Sequence, residues 1–227
     1  MEVNMRIGFL TDGKLSDFEK CKQMQSADLC CLAFGSIGEV NYEKEVQGES
    51  NEMEAIALFS RNFSCVAVAG CYTDTKGVKR KSAIVADNGR ILGVSDMTHG
   101  LDGDGYKCGS GLRVYDTSAG RLGVLVGQDV YFPELTASLA RCGGDVIVCA
   151  YEQLGENPEQ ILLRADAFRY GVTMCMCAHG YAQIAEPSGK IAFASPLSPV
   201  WCSMESRREY HLVETRRRGF YRPQEMY

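Results

Sequence analysis

The sequence predicts an α/β fold built on mixed β-sheet, and three observations predict it. Short, wholly apolar runs recur along the whole chain, the mark of strands covered on both faces. Glycine-bearing turns join several of these runs into hairpins, which makes antiparallel neighbours. A few well-punctuated helical patterns separate others, which makes strand–helix–strand units. Together these specify a mixed sheet and not a pure doubly wound one.

Taken in order, strands are expected at 6–10, 29–33, 65–69, 81–86, 90–95, 112–116, 121–126, 145–150, 172–177, 183–185, 190–194 and 210–214. Ser50 caps a helix through Asn62, with Glu52 and Glu54 in its first turn and Met53, Ile56 and Phe59 along one face. Pro133 stands at the first position of a second helix, Leu135 and Leu139 line one face, and Gly143 ends it. Asn157-Pro158 opens a third, with Ile161, Leu162, Ala165 and Phe168 inward and Gly171 at its end. Hairpin turns are expected at Asp87-Asn-Gly89, Thr117-Ser-Ala-Gly120 and Glu186-Pro-Ser-Gly189. With no internal repeat, low-complexity tract or linker, one domain over 1–227 is expected.

Composition narrows the function classes. The 227 residues carry 24 Lys and Arg against 29 Asp and Glu, a formal net charge of −5, which leaves no electrostatic footprint for nucleic acid. Hydrophobic content of 45% suits a folded chain with a real core. No apolar stretch approaches the ~18 residues of a membrane span. Acidic Glu2 and a strand-like run at 5–10 do not read as a signal peptide, so a soluble cytoplasmic protein is expected. Eleven cysteines form no CxxC pair and have only three histidines for company. Neither a metal nor a cofactor is expected; most of the thiols sit in apolar runs and read as buried and reduced.

Motif by motif the chain offers little chemistry. It has no GxxxxGK[ST] loop and no GxSxG elbow. Gly103-Asp-Gly105 and Gly109-Ser-Gly111 do not continue into a helix. The segment Gly127-Gln-Asp-Val-Tyr-Phe-Pro-Glu134 is more suggestive, because a buried strand ends where a proline-started helix begins. Such a junction bares backbone N–H groups that favour a ligand or a developing negative charge. An ordinary strand-to-helix turn is the alternative.

At this stretch the chain resembles the nitrilase, or carbon–nitrogen hydrolase, superfamily, and the match runs nearly end to end. Residues 5–10 and Ala27-Asp-Leu-Cys-Cys-Leu32 resemble its first two strands. The hairpin Ala83-Ile-Val-Ala-Asp-Asn-Gly-Arg-Ile-Leu-Gly-Val94 is similar to its central hairpin, with His99 where the family has a histidine. Its nucleophile motif is matched by Gly123-Val-Leu-Val-Gly-Gln-Asp129 and Phe132-Pro-Glu134. Gly143-Gly-Asp-Val-Ile-Val-Cys149, Arg164-Ala-Asp-Ala-Phe168 and the closing Tyr221-Arg-Pro-Gln-Glu-Met-Tyr227 follow in family order.

The resemblance implies a four-layer αββα sandwich of two mixed sheets, paired into a homodimer through helices. It also implies an active site of glutamate, lysine and cysteine, in which the thiolate attacks carbon, the glutamate moves protons and the lysine stabilises the tetrahedral intermediate. On this alignment those positions are Phe34, Met97 and Gly127, so all three groups are missing. A relocated base is conceivable among Glu39, Glu43 and Glu45. Cys149 reads as a buried thiol near the pocket rim, and Asp129 and Glu134 read as structural. The arginines at 207, 208, 216, 217, 218 and 222 read as surface or interface.

A pocket lined by Phe34, Met97, Gly127, Gln128, Cys149 and Tyr151 is expected to persist as a smaller, mainly apolar cavity, or to close altogether. Any ligand should be small and neutral. The function implied is that of a catalytically silent member binding a small molecule or a protein. The alternatives are a hydrolase of C–N bonds with relocated groups and a structural partner of an active homologue.

Overall fold

The computed structural model describes residues 3–19, 27–100, 105–154 and 158–206. In chain order these form β1 (Val3–Leu10), α1 (Leu15–Glu19), β2 (Leu29–Leu32), β3 (Val40–Asn41), α2 (Tyr42–Gln47), α3 (Glu52–Asn62), β4 (Val66–Thr75), β5 (Val78–Asp87) and β6 (Arg90–Asp96). There follow β7 (Val114–Thr117), β8 (Gly120–Val126), a 3-10 turn (Gly127–Tyr131), α4 (Pro133–Arg141), β9 (Val146–Gln153) and α5 (Pro158–Tyr170). The chain continues through β10 (Thr173–His179), β11 (Tyr181–Ala185), β12 (Ile191–Ser195) and β13 (Val200–Ser206).

Two mixed sheets result. One runs β13-β1-β2-β4-β5-β6 with β3 beside β4, and the other runs β12-β11-β10-β9-β8-β7. Parallel pairs (β1–β2, β2–β4, β8–β9, β9–β10) occupy the middle of each sheet and antiparallel strands flank them. The sheets pack face to face over an apolar cluster that includes Phe9, Cys31, Val68, Val85, Val124, Val148 and Cys177. Outside the first sheet, Phe18 of α1 and Ile56 and Phe59 of α3 cover Leu10, Leu32 and Ile84. Outside the second, Leu135 and Leu139 of α4 and Leu163 and Ala167 of α5 cover Ile147, Cys149 and Met174. This is the four-layer αββα arrangement, and period-two alternation along buried strands supplies both the inner and the outer face.

The three expected hairpin turns are present, and Asn88 (φ 47°) and Gly89 (φ 92°) adopt the left-handed pair that a tight hairpin demands. Several elements differ from expectation. The β4–β5 hairpin turns at Lys76-Gly77, and its strands outrun their apolar cores because polar Asp74, Thr75 and Lys79 continue the ladder. The short α1, α2 and β3 lack enough periodicity to announce themselves. β13 pairs antiparallel with β1, Cys202 opposite Ile7, and the expected strand at 210–214 lies outside the described residues.

Two helix details are corrected. Ser50 does not cap α3; its hydroxyl donates to the Glu45 carboxylate, which itself accepts from the N–H groups of Glu52 (2.9 Å) and Met53 (3.2 Å). A carboxylate outcompetes a hydroxyl at the positive end of a helix. On α5, Ile161 and Phe168 face outward at 64% and 50% exposure, while Leu163, Ala167 and Tyr170 point inward. Apolar residues at 161, 162, 163, 165, 167 and 168 nearly encircle this helix, so periodicity cannot select a face.

Candidate functional site

The site is built on the junction where β8 ends. Gly127 is buried with φ +54°, a left-handed conformation that disfavours a side chain. Two residues on, the Asp129 carboxylate ties the junction together. Its Oδ1 accepts from the Thr98 N–H and hydroxyl and from the His99 N–H, each at 2.9 Å, and its Oδ2 accepts from the Val126 N–H at 3.2 Å. Burial pushes this carboxyl above the ordinary aspartate range, and the four donors oppose that shift. Asp129 therefore has the structural role read from the sequence, and Glu134 lies exposed in the first turn of α4. The His99 ring rests on Phe132, centroids 4.6 Å apart.

Met97 is wholly buried beside Gly127: a Cβ built on that glycine would lie 3.1 Å from the Met97 sulfur and 3.8 Å from Lys81 Cδ. Gln128, half-buried, directs its Oε1 toward Gly100, where the Met97 methyl and the Cys108 sulfur also converge. Phe34 follows β2 and joins the same inter-sheet cluster as Met97. Its ring needs the bare backbone of Gly70, since a Cβ there would fall 2.7 Å from Phe34 Cδ2.

The structure also brings in residues that the sequence did not single out. Lys81, 5% exposed, places its ammonium 2.6 Å from Glu152 Oε2 and over the ring of Tyr106 at 5.0 Å. The Tyr72 hydroxyl donates to Glu152 Oε1, its ring stacks on Tyr106 and it packs against Phe34 at 5.3 Å. Burial and the neighbouring carboxylate hold the Tyr72 phenol firmly protonated. A continuous chain of contacts thus runs from Phe34 through Tyr72 and Glu152 to Lys81, whose Cδ would lie 3.8 Å from a Cβ built on Gly127.

The expectation of a mainly apolar site is corrected by this ion pair. No lysine lies between Lys81 and Lys107, but Lys81 is one step beyond the Ser82–Asp96 ladder pair, and the Met97 N–H donates to its carbonyl at 2.8 Å. Residues opposite each other in an antiparallel pair share a face, so a neighbouring strand delivers the cation.

Cys149 and Tyr151 are also corrected, because both face the helix layer. Cys149 is fully buried in mid-β9 among Leu125, Ile147 and Met176, and burial raises its thiol far above the ordinary range. The Tyr151 hydroxyl donates to Glu159 of α5 at 3.1 Å. Side chains alternate along a strand, so Ala150 and Glu152 face inward where 149 and 151 cannot. Glu39, Glu43 and Glu45 are engaged elsewhere, respectively with Lys79 (2.9 Å), with the Lys76 N–H (3.3 Å) and at the start of α3. Chemically, the junction offers an ammonium, a carboxylate and a phenol, and no nucleophile at Gly127. The C-terminal arginines lie outside the described residues.

The family model described as carbon–nitrogen hydrolase matches residues 24–212. A probable nitrilase of Schizosaccharomyces pombe is 29% identical over 121 residues, an alignment covering 47% of this chain and 44% of that protein, so the chain matches less than half the length of this curated relative. Among solved structures, Nit3 of Saccharomyces cerevisiae, a member of branch 10 of the nitrilase superfamily, superimposes with a TM-score of 0.76 at 16% identity over 98% of this chain and 96% of its own. A variant of the amidase from Nesterenkonia sp. AN1 in complex with butyramide gives 0.71 at 18% identity over 88% and 90%. These structural likenesses carry the fold.

Proposed function

The chain belongs to the carbon–nitrogen hydrolase family, and from that premise we propose that it is a hydrolytically silent member that binds a small neutral molecule at the Gly127 junction. The observation that supports this reading is Gly127 itself, which offers a hydrogen atom where the family's chemistry needs a thiolate, with the Met97 sulfur against it. Lys81 and Glu152 form an ion pair, so the site presents a donor beside an acceptor. A ligand with one carbonyl and one N–H group can address both without leaving either charge unpaired.

Butyramide, carried by the Nesterenkonia amidase variant, is a suitable probe. Calorimetry should show saturable binding, weakened about tenfold by Lys81→Met, with no ammonia released from nitriles, short amides, ω-amides or N-carbamoyl compounds. Absence of butyramide binding would count against this reading.

A hydrolase with relocated groups is the second reading, and the convergence of Lys81 and Glu152 favours it. A carboxylate beside a cation is part of what amide hydrolysis requires. Ammonia release that survives Gly127→Ala and disappears in Glu152→Gln would put this reading in place of the first. With either reading we associate a cytoplasmic location and a homodimer, or a mixed oligomer with an active homologue. The free thiols of all ten described cysteines support the former and the outward apolar side chains of α5 the latter. No helix among the described residues is long and apolar enough to cross a membrane.

A further inference from the structure

The β5–β6 and β7–β8 hairpins belong to different sheets, and their turns meet. Asp87 joins them. Its Oδ1 accepts from the Asn88 amide and from the Ser118 hydroxyl, each at 2.7 Å, and its Oδ2 accepts from the Ser118 N–H at 2.8 Å. The Asn88 amide also donates to the Ser118 hydroxyl at 3.2 Å. One carboxylate and one side-chain amide thus tie the two sheets together at this end, where Asn88 and Ser118 are both exposed.

The chain has six asparagines, and Asn88 alone precedes a glycine; the others precede Met, Tyr, Glu, Phe and Pro. A following glycine has no Cβ to keep its backbone nitrogen away from the asparagine side chain. In this fold that nitrogen is already engaged. The Gly89 N–H donates to Ser60 Oγ at 2.8 Å. Ser60 is wholly buried and gives its own proton to the Ala57 carbonyl at 2.9 Å, so its oxygen is fixed as an acceptor. The Asn88 N–H in turn donates to the Cys65 carbonyl at 3.4 Å. The left-handed pair is thereby held from the α3 side by Ser60 and from the opposite sheet by Ser118.

We propose that Asn88 is the deamidation site of this chain and that the hydrogen bond from Gly89 to Ser60 sets its rate. When Gly89 lets go of Ser60, its nitrogen can attack the side-chain carbonyl carbon of Asn88. A new C–N bond closes a cyclic imide and the Cγ–Nδ2 bond breaks. The amide nitrogen leaves as ammonia, with the proton that Gly89 gives up. Water then opens the imide at either carbonyl, which leaves aspartate or isoaspartate. Both products lose the Nδ2 donor and set a second carboxylate beside Asp87, where like charges repel. Isoaspartate also adds a backbone carbon to a turn built for two residues. Deamidation therefore loosens the tie between the sheets. Its ammonia comes from the chain itself and cannot exceed the amount of protein, unlike ammonia from turnover at the Gly127 junction.

The test is incubation in warm, mildly alkaline buffer, with peptide mapping by mass spectrometry at successive times. Asn88 should be the first asparagine to take on the mass of the acid, and the same chain unfolded in urea should react faster there. Ser60→Ala should react about tenfold faster than the unaltered folded protein, as the loss of one hydrogen bond allows. Its Gly89 amide should also exchange with deuterium faster. Leu163→Ala, which disturbs the α5 layer and leaves this hairpin alone, should react at the unaltered rate. The deamidated protein should melt at a lower temperature than the fresh one. Another asparagine reacting first, no acceleration in urea or in Ser60→Ala, equal acceleration in Leu163→Ala, or an unchanged melting temperature would overturn the proposal.

Discussion

The ammonium of Lys81 lies 2.6 Å from the carboxylate of Glu152, and the two are unequally buried, with side chains 6% and 29% exposed. This asymmetry decides which half of the pair is harder to lose. Glu152 can rehydrate through its exposed edge, whereas Lys81 is enclosed by Glu152, Tyr106 and the Gly127 junction.

Glu152→Gln should therefore destabilise the protein by about 3 kcal/mol, since it takes a carboxylate away from a buried ammonium. Lys81→Met should cost only about 1–2 kcal/mol, because it leaves a half-wet carboxylate that keeps its hydrogen bond from Tyr72. The double variant should be less destabilised than the sum. Urea unfolding of the three variants measures this, and equal costs for the two single changes would refute the asymmetry.

Strand identity was legible in the sequence because a strand buried on both faces must be apolar, and the runs around Leu29, Val66 and Val146 are. The junction at Gly127 was legible for a similar reason: a proline at a helix start and a buried strand before it leave few alternatives. The ion pair was not legible, because Lys81 and Glu152 come together only through the packing of β5 against β8 and β9. Nor could the sequence show that Glu152, and not Cys149 or Tyr151, faces inward. One position of parity along β9 settles that, and both parities are apolar enough to be core. A lysine opening the buried run at 81–86 was the signal available.

Gly127→Ala should destabilise by about 1–3 kcal/mol, the cost of holding an L residue in left-handed geometry. The new methyl would also meet the Met97 sulfur, so Met97→Ala should recover part of the loss. Thermal unfolding of the single and double variants tests this; additive effects would mean that the two residues are not coupled.

Ile161 and Phe168 lie two turns apart on the outward side of α5, and apolar side chains so placed favour burial against a partner. A homodimer through this face predicts a sedimentation-equilibrium mass twice that of the chain at micromolar concentration. Phe168→Glu should shift it to monomer without changing the far-ultraviolet circular dichroism. A monomeric unaltered protein would contradict the expectation.

The buried thiols make stability depend on pH at the alkaline end. Burial, with help from Asp96 and Glu52, pushes the Cys71 thiol up to about 12, and burial does the same for Cys202. Cys31, Cys175 and Cys177 are raised as well, again chiefly by burial. In the unfolded chain such thiols ionise in the ordinary thiol range, at about 8.5–9. Below that pH both states hold the proton and nothing changes. Above it the unfolded chain binds fewer protons than the folded one, so stability falls as pH rises, until the folded thiol ionises too. Each thiol contributes about 1.4 kcal/mol of lost stability per pH unit within that window. Partly buried phenols such as Tyr42, raised to about 12 mainly by desolvation, add to the fall at higher pH. Urea midpoints measured with a reductant present should therefore be level at neutral pH and drop steeply from about pH 9 upward. Cys71→Ala should lower stability at neutral pH through lost packing, yet flatten the alkaline slope by one proton's worth. An unchanged slope in that variant, or a level midpoint through the alkaline range, would show that these thiols are not held protonated by the fold.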